Sequence, residues 1–486
     1  MPAHPPPVSA AASSPRNSGV CRLDPRACRR YASARCLSQV LIVVAIAAVV
    51  GCTTSCETLW GGARADADSP RDKHRGPRLR PAGAQILNAA GVVEEISESD
   101  LLSEKCPRAP ASKPTHMRGK GRYRYLDEIS VEGLQPRRLT VYLPESYEEE
   151  SERRYPVLYA HDGQLAYAEG EGLGIDASLD QLTEEGVIEA HILVTIDRTK
   201  ARSQELTPCY GRCSRPSLER YARMLVDVVK PMIDATFRTR CGRHSTSIVG
   251  YSLGGLANLF FVWMYPDVFG ALASMSPSYW WQGGAVLNDF HEYKGPMPDR
   301  LWIDSGTKEG RPHEAVPYFI HDIRKARDIA IAKGMVLGRN LGYLEDPGAR
   351  HAGWAGARRM NQVIAFLRGH QLPDFREPSH VSVYVFRETI APKAVTSLAV
   401  NLLFGEHFLM TWPNKQVKLL TRSSGIAKVG SDGLVYGLNE GTAIIEAQYG
   451  SYIGRDRVHI DKNVPTPQAW ATSSKRSSAT SAGKSP

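Results

Sequence analysis

The middle of the chain contains short runs in which every residue, or every second residue, is apolar. Longer stretches with apolar residues at helical spacing separate these runs. Continuous apolar runs are typical of strands buried on both faces of a sheet, and spacing of three and four residues indicates helices. The predicted strands are 138–144, 155–160, 188–196, 271–275, 301–304 and 335–344, and the predicted helices are 218–237, 316–333 and 356–367. This alternation predicts an α/β fold with a mostly parallel sheet and helices on both faces.

The character of the sequence changes near residue 375. Short alternating segments with turn signals follow, without a long helical pattern, which predicts a small all-β domain. The segment before the α/β region and the Ser-, Ala- and Lys-rich end lack periodicity and are typical of disordered chain, apart from one short helix near 96–102. The predicted organisation is a leader at 1–52, a linker at 53–112, an α/β domain at 113–375, an all-β domain at 380–462 and a tail at 463–486.

The first segment has the pattern of an export leader. Basic residues, among them Arg35, precede an apolar run at 40–50 that is too short to span a bilayer comfortably. The run ends in Val-Val-Gly-Cys, which resembles the lipobox of bacterial lipoproteins and implies a lipid anchor on Cys52 and a periplasmic or cell-surface location. A short uncleaved membrane anchor at 36–54 is the alternative, and the long stretch before residue 40 leaves the start of translation open.

Charge and cysteine content narrow the function classes. The 486-residue chain has a formal net charge of +9, but much of this charge lies in the first eighty residues and the tail. No basic helix or aromatic-interleaved basic patch occurs in the folded regions, which argues against nucleic-acid binding. Cys209 and Cys213 are expected to form a disulfide or to stay free, with Cys241 as a further thiol, and the missing additional ligands argue against a metal site.

A glycine-flanked serine stands between a short apolar strand and an apolar helix. Gly-Tyr-Ser-Leu-Gly at 250–254 matches the nucleophile elbow G-x-S-x-G, in which a tight turn exposes the hydroxyl, here that of Ser252, at a helix N-terminus. Ile248 and Val249 precede the turn, and apolar residues at helical spacing follow it. The plainer alternative is a glycine-rich turn before a core helix.

A serine nucleophile needs a base and an acid that orients the base. His351 follows a predicted strand and precedes the last predicted helix, which is where the base of an α/β-hydrolase stands. Asp304 and Glu309 are the candidate acids. We favour Glu309, because it follows the turn at Gly306 and would lie in the loop that faces His351, with Asp304 at the strand end as second choice.

Several motifs occur together in one order along about 250 residues of the chain. They are Val-Leu-Tyr-Ala-His-Asp-Gly-Gln at 157–164, Arg-x-x-Glu-Leu-Thr-Pro at 202–208, Gly-Tyr-Ser-Leu-Gly-Gly at 250–255, Ser-Pro-Ser-Tyr-Trp-Trp at 276–281, Asp-Ser-Gly-Thr-Lys-Glu at 304–309 and Gly-Ala-Arg-His at 348–351. This set resembles the esterase branch of the α/β-hydrolases that includes enterochelin esterases, feruloyl and acetylxylan esterases, S-formylglutathione hydrolases and mycolyltransferases.

The resemblance implies roles for individual residues. Ser252 would be the nucleophile, Glu309 the acid and His351 the base, without metal or cofactor. The amide of Leu253, with that of Gln164 or Leu165, would form the oxyanion hole. The family often has Asn-Leu-Phe after Asp-Gly-Gln, and Leu-Ala-Tyr at 165–167 departs from it, which affects the expected shape of the pocket.

Two further pairs of residues have open roles. Trp280 and Trp281 would either line an acyl or aromatic pocket or pack in the core. Arg202 would either hold an anionic substrate group or, as we prefer, form an ion pair with Glu205.

The sequence at 426–447 resembles the end of a bacterial Ig-like domain, with an Asp-Gly turn, a Leu-Val strand and Glu-Gly-Thr-Ala before a final strand. That resemblance implies a small β-sandwich that serves as a spacer or adhesive module. The whole chain is expected to be an exported serine ester hydrolase acting on a small-molecule or polysaccharide-linked ester. An acyltransferase with the same triad and an inactive surface-binding protein are the alternatives.

Overall fold

A computed structural model describes residues 119–167, 172–210, 217–310, 316–406 and 408–465, together with the backbone of two short strands at 85–87 and 93–95. The predicted leader, the helix near 96–102, the lipidation site and most of the tail lie outside these residues. Within the described part of the chain, no helix is both long and apolar enough to cross a bilayer.

A ten-stranded sheet forms the centre of the α/β domain, in the order β10-β9-β8-β7-β5-β6-β4-β3-β1-β2. Its strands are β1 Gln85–Leu87, β2 Val93–Glu95, β3 Arg122–Ile129, β4 Arg137–Leu143, β5 Val157–His161, β6 Ile192–Ile196, β7 Thr246–Tyr251, β8 Ala271–Met275, β9 Arg300–Gly306 and β10 Leu341–Asp346. Pairing is parallel from β10 to β6 and antiparallel from β6 to β2. The mostly parallel sheet of the sequence prediction is confirmed.

Helices cover both faces of this sheet. They are α1 Gly163–Ala166, α2 Ile175–Glu184, α3 Arg202–Glu205, α4 Leu218–Arg223, α5 Lys230–Thr236, α6 Leu253–Met264, α7 Ala285–Glu292, α8 Tyr318–Ala332 and α9 Gly353–Arg368, with a π-helical segment Met224–Val229 between α4 and α5 and 3₁₀ turns at Glu145–Tyr147, Arg243–Ser245, Trp281–Gly284 and Asn414–Gln416. One large apolar core lies beneath the helices α4 to α8, and a second lies beneath α2 and α9.

The last strand of the sheet begins later than the sequence predicts. The pattern predicts a strand over 335–344, but β10 is Leu341–Asp346. Residues 335–340 form a turn instead, because Gly334 and Gly338 adopt positive φ angles of 89° and 83°. The main-chain N–H groups of residues 339–341 donate to the carbonyl of Val336 and close this turn. Of the apolar residues in this turn, Met335 is buried without strand geometry, whereas Val336 is exposed.

Short strands also occur in the segment predicted to be an irregular linker. β1 and β2 form a hairpin, and β1 adds to the antiparallel edge of the sheet through β3. Each of the two strands has three residues, which is too short for a period-two pattern to be recognised in the sequence.

The C-terminal region is all-β, as its sequence pattern predicts. One sheet has the order β11-β13-β17-β16 with β14 paired to β13, and the other has the order β12-β19-β18-β15. The strands are β11 His380–Val385, β12 Thr389–Ile390, β13 Val395–Phe404, β14 Phe408–Trp412, β15 Lys418–Thr421, β16 Ala427–Val429, β17 Leu434–Gly437, β18 Gly441–Tyr449 and β19 Tyr452–Ile460. Its membership in the Ig-like family stays a prediction.

Candidate active site

Ser252 lies in a strained turn between β7 and α6. Its φ and ψ angles of 61° and −116° fall outside the regions that residues with a side chain normally occupy. Gly250 makes the turn possible, since a Cβ atom there would lie 2.3 Å from the main chain of Gly254. The local sequence therefore places the serine, which is half-buried, in a tight turn at the N-terminus of a twelve-residue helix.

His351 stands opposite this serine, in the loop between β10 and α9. Its Nε2 atom lies 3.1 Å from Oγ of Ser252, which is hydrogen-bond distance. The imidazole packs between the rings of Tyr251 and Phe319, at centroid distances of 5.0 and 5.3 Å, and about a quarter of its side chain (26%) is exposed. Solvent and substrate can therefore reach the pair, while the two aromatic rings restrict the orientation of the imidazole.

Glu309 contacts the other nitrogen of the same imidazole. Its Oε2 lies 2.7 Å from Nδ1 of His351, so the carboxylate favours the tautomer with a proton on Nδ1 and leaves Nε2 free to accept from Ser252. Burial by itself would raise the pKa of Glu309, but its bonds to His351 and the nearby charge of Arg359 outweigh burial and hold this pKa below its ordinary value. The acid is thus held in its ionised form.

Asp304, the second candidate acid, lies nearby but makes a different set of bonds. It accepts from the main-chain N–H of Ser276 at 3.0 Å and from Nε1 of Trp302 at 2.7 Å. Full burial raises its pKa to about 6, although the guanidinium of Arg359 lowers it. Of the two carboxylates, Glu309 is the one that the structure brings into contact with His351.

Ser276 and Arg359 lie directly behind Glu309, and the sequence pattern does not predict a role for either residue. Ser276 donates its hydroxyl to Oε1 of Glu309 at 2.6 Å and accepts from Nη2 of Arg359 at 2.8 Å. The main-chain N–H of Gly306 donates to the same Oε1 at 2.7 Å. Ser276 stood in the quoted Ser-Pro-Ser motif, whereas Arg359 looked like any charged residue of an amphipathic helix.

The predicted oxyanion-hole residues lie in two adjacent segments. Leu253 is the first residue of α6, where main-chain N–H groups have no partner within the helix. Leu165 donates its main-chain N–H to the carbonyl of Asp162 at 2.7 Å. Gln164 is therefore the better second donor of the two predicted alternatives, and its side chain holds the loop by exchanging two hydrogen bonds with the main chain of Arg198, at 2.9 and 3.1 Å.

The ion pair predicted between Arg202 and Glu205 is wrong. Arg202 donates instead to both carboxylate oxygens of Asp162, at 2.5 and 2.6 Å. Glu205 forms a buried bidentate pair with Arg137, at 2.5 and 3.0 Å. The two residues are both on α3, which is a single helical turn. Their partners lie on two different segments of the chain, so the short spacing between Arg202 and Glu205 does not predict either pair.

A buried histidine at the end of strand β5 links this strand to helix α6, which follows Ser252. Nδ1 of His161 lies 2.7 Å from the hydroxyl of Tyr221, and Nε2 lies 2.9 Å from Oδ1 of Asn258 on α6. Burial lowers the pKa of His161 to about 4, so this imidazole is neutral near pH 7. A neutral ring with both nitrogens bonded serves to hold β5, α4 and α6 together beneath the site.

The two tryptophans predicted near the pocket are half-buried. Trp281 packs against the larger apolar core, and Trp280 meets the ring of Tyr318 edge-to-face at 6.3 Å. Their contact with substrate stays a prediction. Among the described residues, no group of three or more His, Cys, Asp or Glu side chains is arranged to hold a metal ion. Cys209 is disulfide-bonded, its predicted partner lies outside the described residues, and Cys241 is a free, exposed thiol.

The sheet, the elbow and the order of the three site residues define an α/β-hydrolase. Residues 132–340 match the family model Esterase, described as "Putative esterase", and this region includes Ser252 and Glu309 but ends before His351. Over this region, which is less than half of the chain, the α/β domain is similar to a family of carboxylic-ester hydrolases.

Individual relatives are distant. The chain is 26% identical over 200 residues to the uncharacterized protein YbbA of Bacillus subtilis, covering 40% of this chain and 76% of that protein. It is 26% identical over 177 residues to an endo-1,4-beta-xylanase/feruloyl esterase of Xylanibacter ruminicola, covering 35% of this chain and 22% of that protein. A solved CE1 ferulic acid esterase from Anaeromyces mucronatus superposes with 20% identity and a TM-score of 0.39, over 55% of this chain and 96% of that chain.

Proposed function

We propose that this protein is a serine ester hydrolase in which Ser252 attacks the ester carbonyl and His351 takes its proton. The observation that carries the proposal is the continuous hydrogen-bonded line from Ser252 through His351 to Glu309, with distances of 3.1 and 2.7 Å. Nucleophile, base and orienting acid at these distances are the arrangement that serine acyl transfer requires.

The reaction would proceed through an acyl-enzyme. As Oγ of Ser252 bonds to the carbonyl carbon, its proton passes to Nε2 of His351, and the carbonyl oxygen becomes negative. The main-chain N–H groups of Leu253 and Gln164 would donate to that oxygen, and ionised Glu309 would stabilise the imidazolium. His351 then gives its proton to the leaving alcohol, and a water molecule, activated by the same base, releases the acid from Ser252.

Aromatic side chains surround the site. The half-buried rings of Trp280 and Tyr318, with Phe319 against His351, give the neighbourhood of the site an aromatic character. Aromatic surfaces of this kind favour an ester with an apolar or aromatic acyl group, whether its alcohol is a small molecule or a polysaccharide. We therefore propose esters with aromatic acyl groups as the first substrates to try.

We also propose that the protein is exported and lipid-anchored through Cys52. The proposal rests on the basic and apolar pattern of the leader and on the disulfide at Cys209, because disulfides persist mainly in oxidising compartments. Metabolic labelling with a radioactive fatty acid tests it. Label retained in wild type and absent from Cys52→Ala supports the anchor, and equal labelling of both proteins refutes it.

Hydrolysis of a panel of acetyl, butyryl and feruloyl esters by the full chain tests the catalytic proposal. Ser252→Ala is expected to abolish turnover, and Glu309→Gln to lower kcat by about 10³- to 10⁴-fold, since the amide no longer enforces the tautomer. Asp304→Asn, a matched carboxylate-to-amide change, is expected to cost far less. Equal activity of wild type and Ser252→Ala would refute the proposal, and a larger loss in Asp304→Asn than in Glu309→Gln would reverse the assignment of the acid.

A further inference from the structure

The C-terminal β domain packs against strand β10 and is hydrogen-bonded to helix α9, the two elements that flank the His351 loop. We propose that this domain is a working part of the active site: it holds the loop that carries His351, and Glu345, Thr411 and Gln362 act as positioning residues. The inference rests on the proposed function of His351 and replaces the expectation of a separate spacer or adhesive module.

Strand β10 is the edge of the large sheet, so its outward main-chain groups have no strand partner within that sheet. The β domain supplies partners at Glu345. The hydroxyl of Thr411 accepts from the N–H of Glu345 at 2.7 Å, and the amide of Asn401 donates to its carbonyl at 3.4 Å. Thr411 in turn donates to Oδ1 of Asn401 at 2.6 Å. All three residues are buried, so each of these groups depends on the docked domain to be satisfied.

A buried ion pair strengthens the same contact. Arg324 on α8 donates to both carboxylate oxygens of Glu345, each at 2.7 Å. The same guanidinium also donates to the hydroxyl of Ser397 at 3.0 Å and to the carbonyl of Leu398 at 2.9 Å, both in the β domain. Because guanidinium geometry is planar and fixed, this one side chain sets the position of the β domain relative to β10.

Helix α9 makes a second polar contact with the β domain. The side-chain amide of Gln362 donates to the carbonyl of Leu409 and accepts from its N–H, both at 3.1 Å. The side chain thereby pairs with strand β14 much as a neighbouring strand would. Glu345 and Gln362 thus attach the β domain to the chain on both sides of the His351 loop.

A side chain of the β domain also lies near the loop itself. It runs from Pro347 to Ala352 and includes Gly348, which has a φ angle of 71°. The hydroxyl of Tyr384 lies 3.6 Å from the point where a Cβ atom of Gly348 would stand. A displacement of about 1 Å in such a loop can cost about 100-fold in rate, because the base must keep its distances to nucleophile and acid. The docked domain therefore fixes geometry on which catalysis depends.

The matched substitutions Thr411→Val and Thr396→Val test this inference in the full-length protein. Both residues are buried threonines of the β domain, but the hydroxyl of Thr411 bonds to Glu345 whereas that of Thr396 has no hydrogen-bond partner among the described residues. Thr411→Ser keeps the hydroxyl and serves as the conservative rescue. The rate at which a fluorophosphonate labels Ser252 and the kcat and KM of ester hydrolysis are measured at a temperature where every variant is folded.

We expect Thr411→Val to lower the labelling rate and kcat by about tenfold with little change in KM, Thr411→Ser to restore most of both, and Thr396→Val to match wild type. Gln362→Leu is expected to lower the labelling rate in the same sense. A labelling rate in Thr411→Val equal to that of Thr396→Val, with lower thermal stability as its only defect, would overturn the inference. Wild-type protein that labels at Ser252 yet hydrolyses no ester would count against the proposed function and leave the labelling comparison valid.

Discussion

The carboxylate of Asp162 and the guanidinium of Arg202 form a bidentate pair with distances of 2.5 and 2.6 Å, directly ahead of α1, the short helix that carries Gln164. Asp162 has a φ angle of 55°, an uncommon value for a residue with a side chain. Arg202 stabilises this conformation by holding both oxygens of the carboxylate. The pair thus braces the residue two positions before Gln164, a predicted oxyanion-hole donor.

Arg202→Lys is expected to lower kcat about tenfold and to change KM little, because lysine cannot reproduce the planar bidentate contact with Asp162, which directly precedes the helix that carries Gln164. Steady-state kinetics on the best ester of the panel measure this effect. Arg138→Lys is the control, since Arg138 is an exposed residue in a loose 3.8 Å contact with Asp197 and is expected to behave as wild type. A rise in KM with unchanged kcat in Arg202→Lys would show that Arg202 binds substrate instead.

Ser276→Ala is expected to lower kcat by about tenfold, because Glu309 loses the hydroxyl that donates to Oε1 and its contact with the charge of Arg359 is interrupted. The matched control is Ser305→Ala, which removes a buried hydroxyl that has no hydrogen-bond partner among the described residues. Kinetics of both variants, with thermal unfolding to confirm that they fold, test the effect. Indistinguishable kcat values would show that Glu309 needs no support from Ser276.

Asp304 is expected to make the protein less stable as the pH rises from about 4 to about 6. Its pKa is raised in the folded protein from an ordinary value of 3.8 to about 6, so folding favours the protonated form. The stability that this group contributes is complete below its unfolded pKa and is lost as the pH rises through its folded pKa, by about 3 kcal/mol. Urea unfolding of wild type and Asp304→Asn across this range should show that wild type loses more stability than the variant as the pH rises, because other carboxylates contribute equally to both curves. Parallel curves would contradict the prediction.

Ser252→Gly is expected to be more stable than wild type by about 1 kcal/mol, while being inactive. Glycine adopts the backbone angles of Ser252 without strain, although it gains flexibility in the unfolded chain, which offsets part of the benefit. Ser252→Ala keeps the strain and is the control for loss of the hydroxyl. The denaturant midpoints of wild type and the two variants measure their relative stabilities. A glycine variant that is less stable than the alanine variant would argue against strain at this turn.

The sequence allowed most of the α/β topology to be predicted, because buried parallel strands and amphipathic helices have different periods. It also indicated which carboxylate would face His351, since the turn at Gly306 places Glu309 beyond the strand end. The predicted start of the last strand was wrong, because glycines at positive φ form a turn before Leu341. The predicted roles of the site residues stay predictions until they are measured.

Partners of buried charges could not be predicted in the same way. Arg202 and Glu205 are three residues apart, yet they pair with Asp162 and Arg137, which come from other parts of the chain. Arg359 likewise reaches the acid only because α9 packs beneath the strand ends. The partner of a long charged side chain depends on which residues lie near it in the folded protein. A single sequence does not show which residues those are.

The buried polar contacts of Glu345 and Gln362 have a consequence for how this protein can diverge. Its two domains differ in sequence pattern, which suggests that one domain could be replaced by an unrelated one through recombination. An unrelated β domain inserted after residue 375 would leave the N–H and carbonyl of Glu345 facing side chains that had not evolved to meet them. Substitutions on one side of the interface therefore require compensating substitutions on the other side. We expect the two domains to be inherited together.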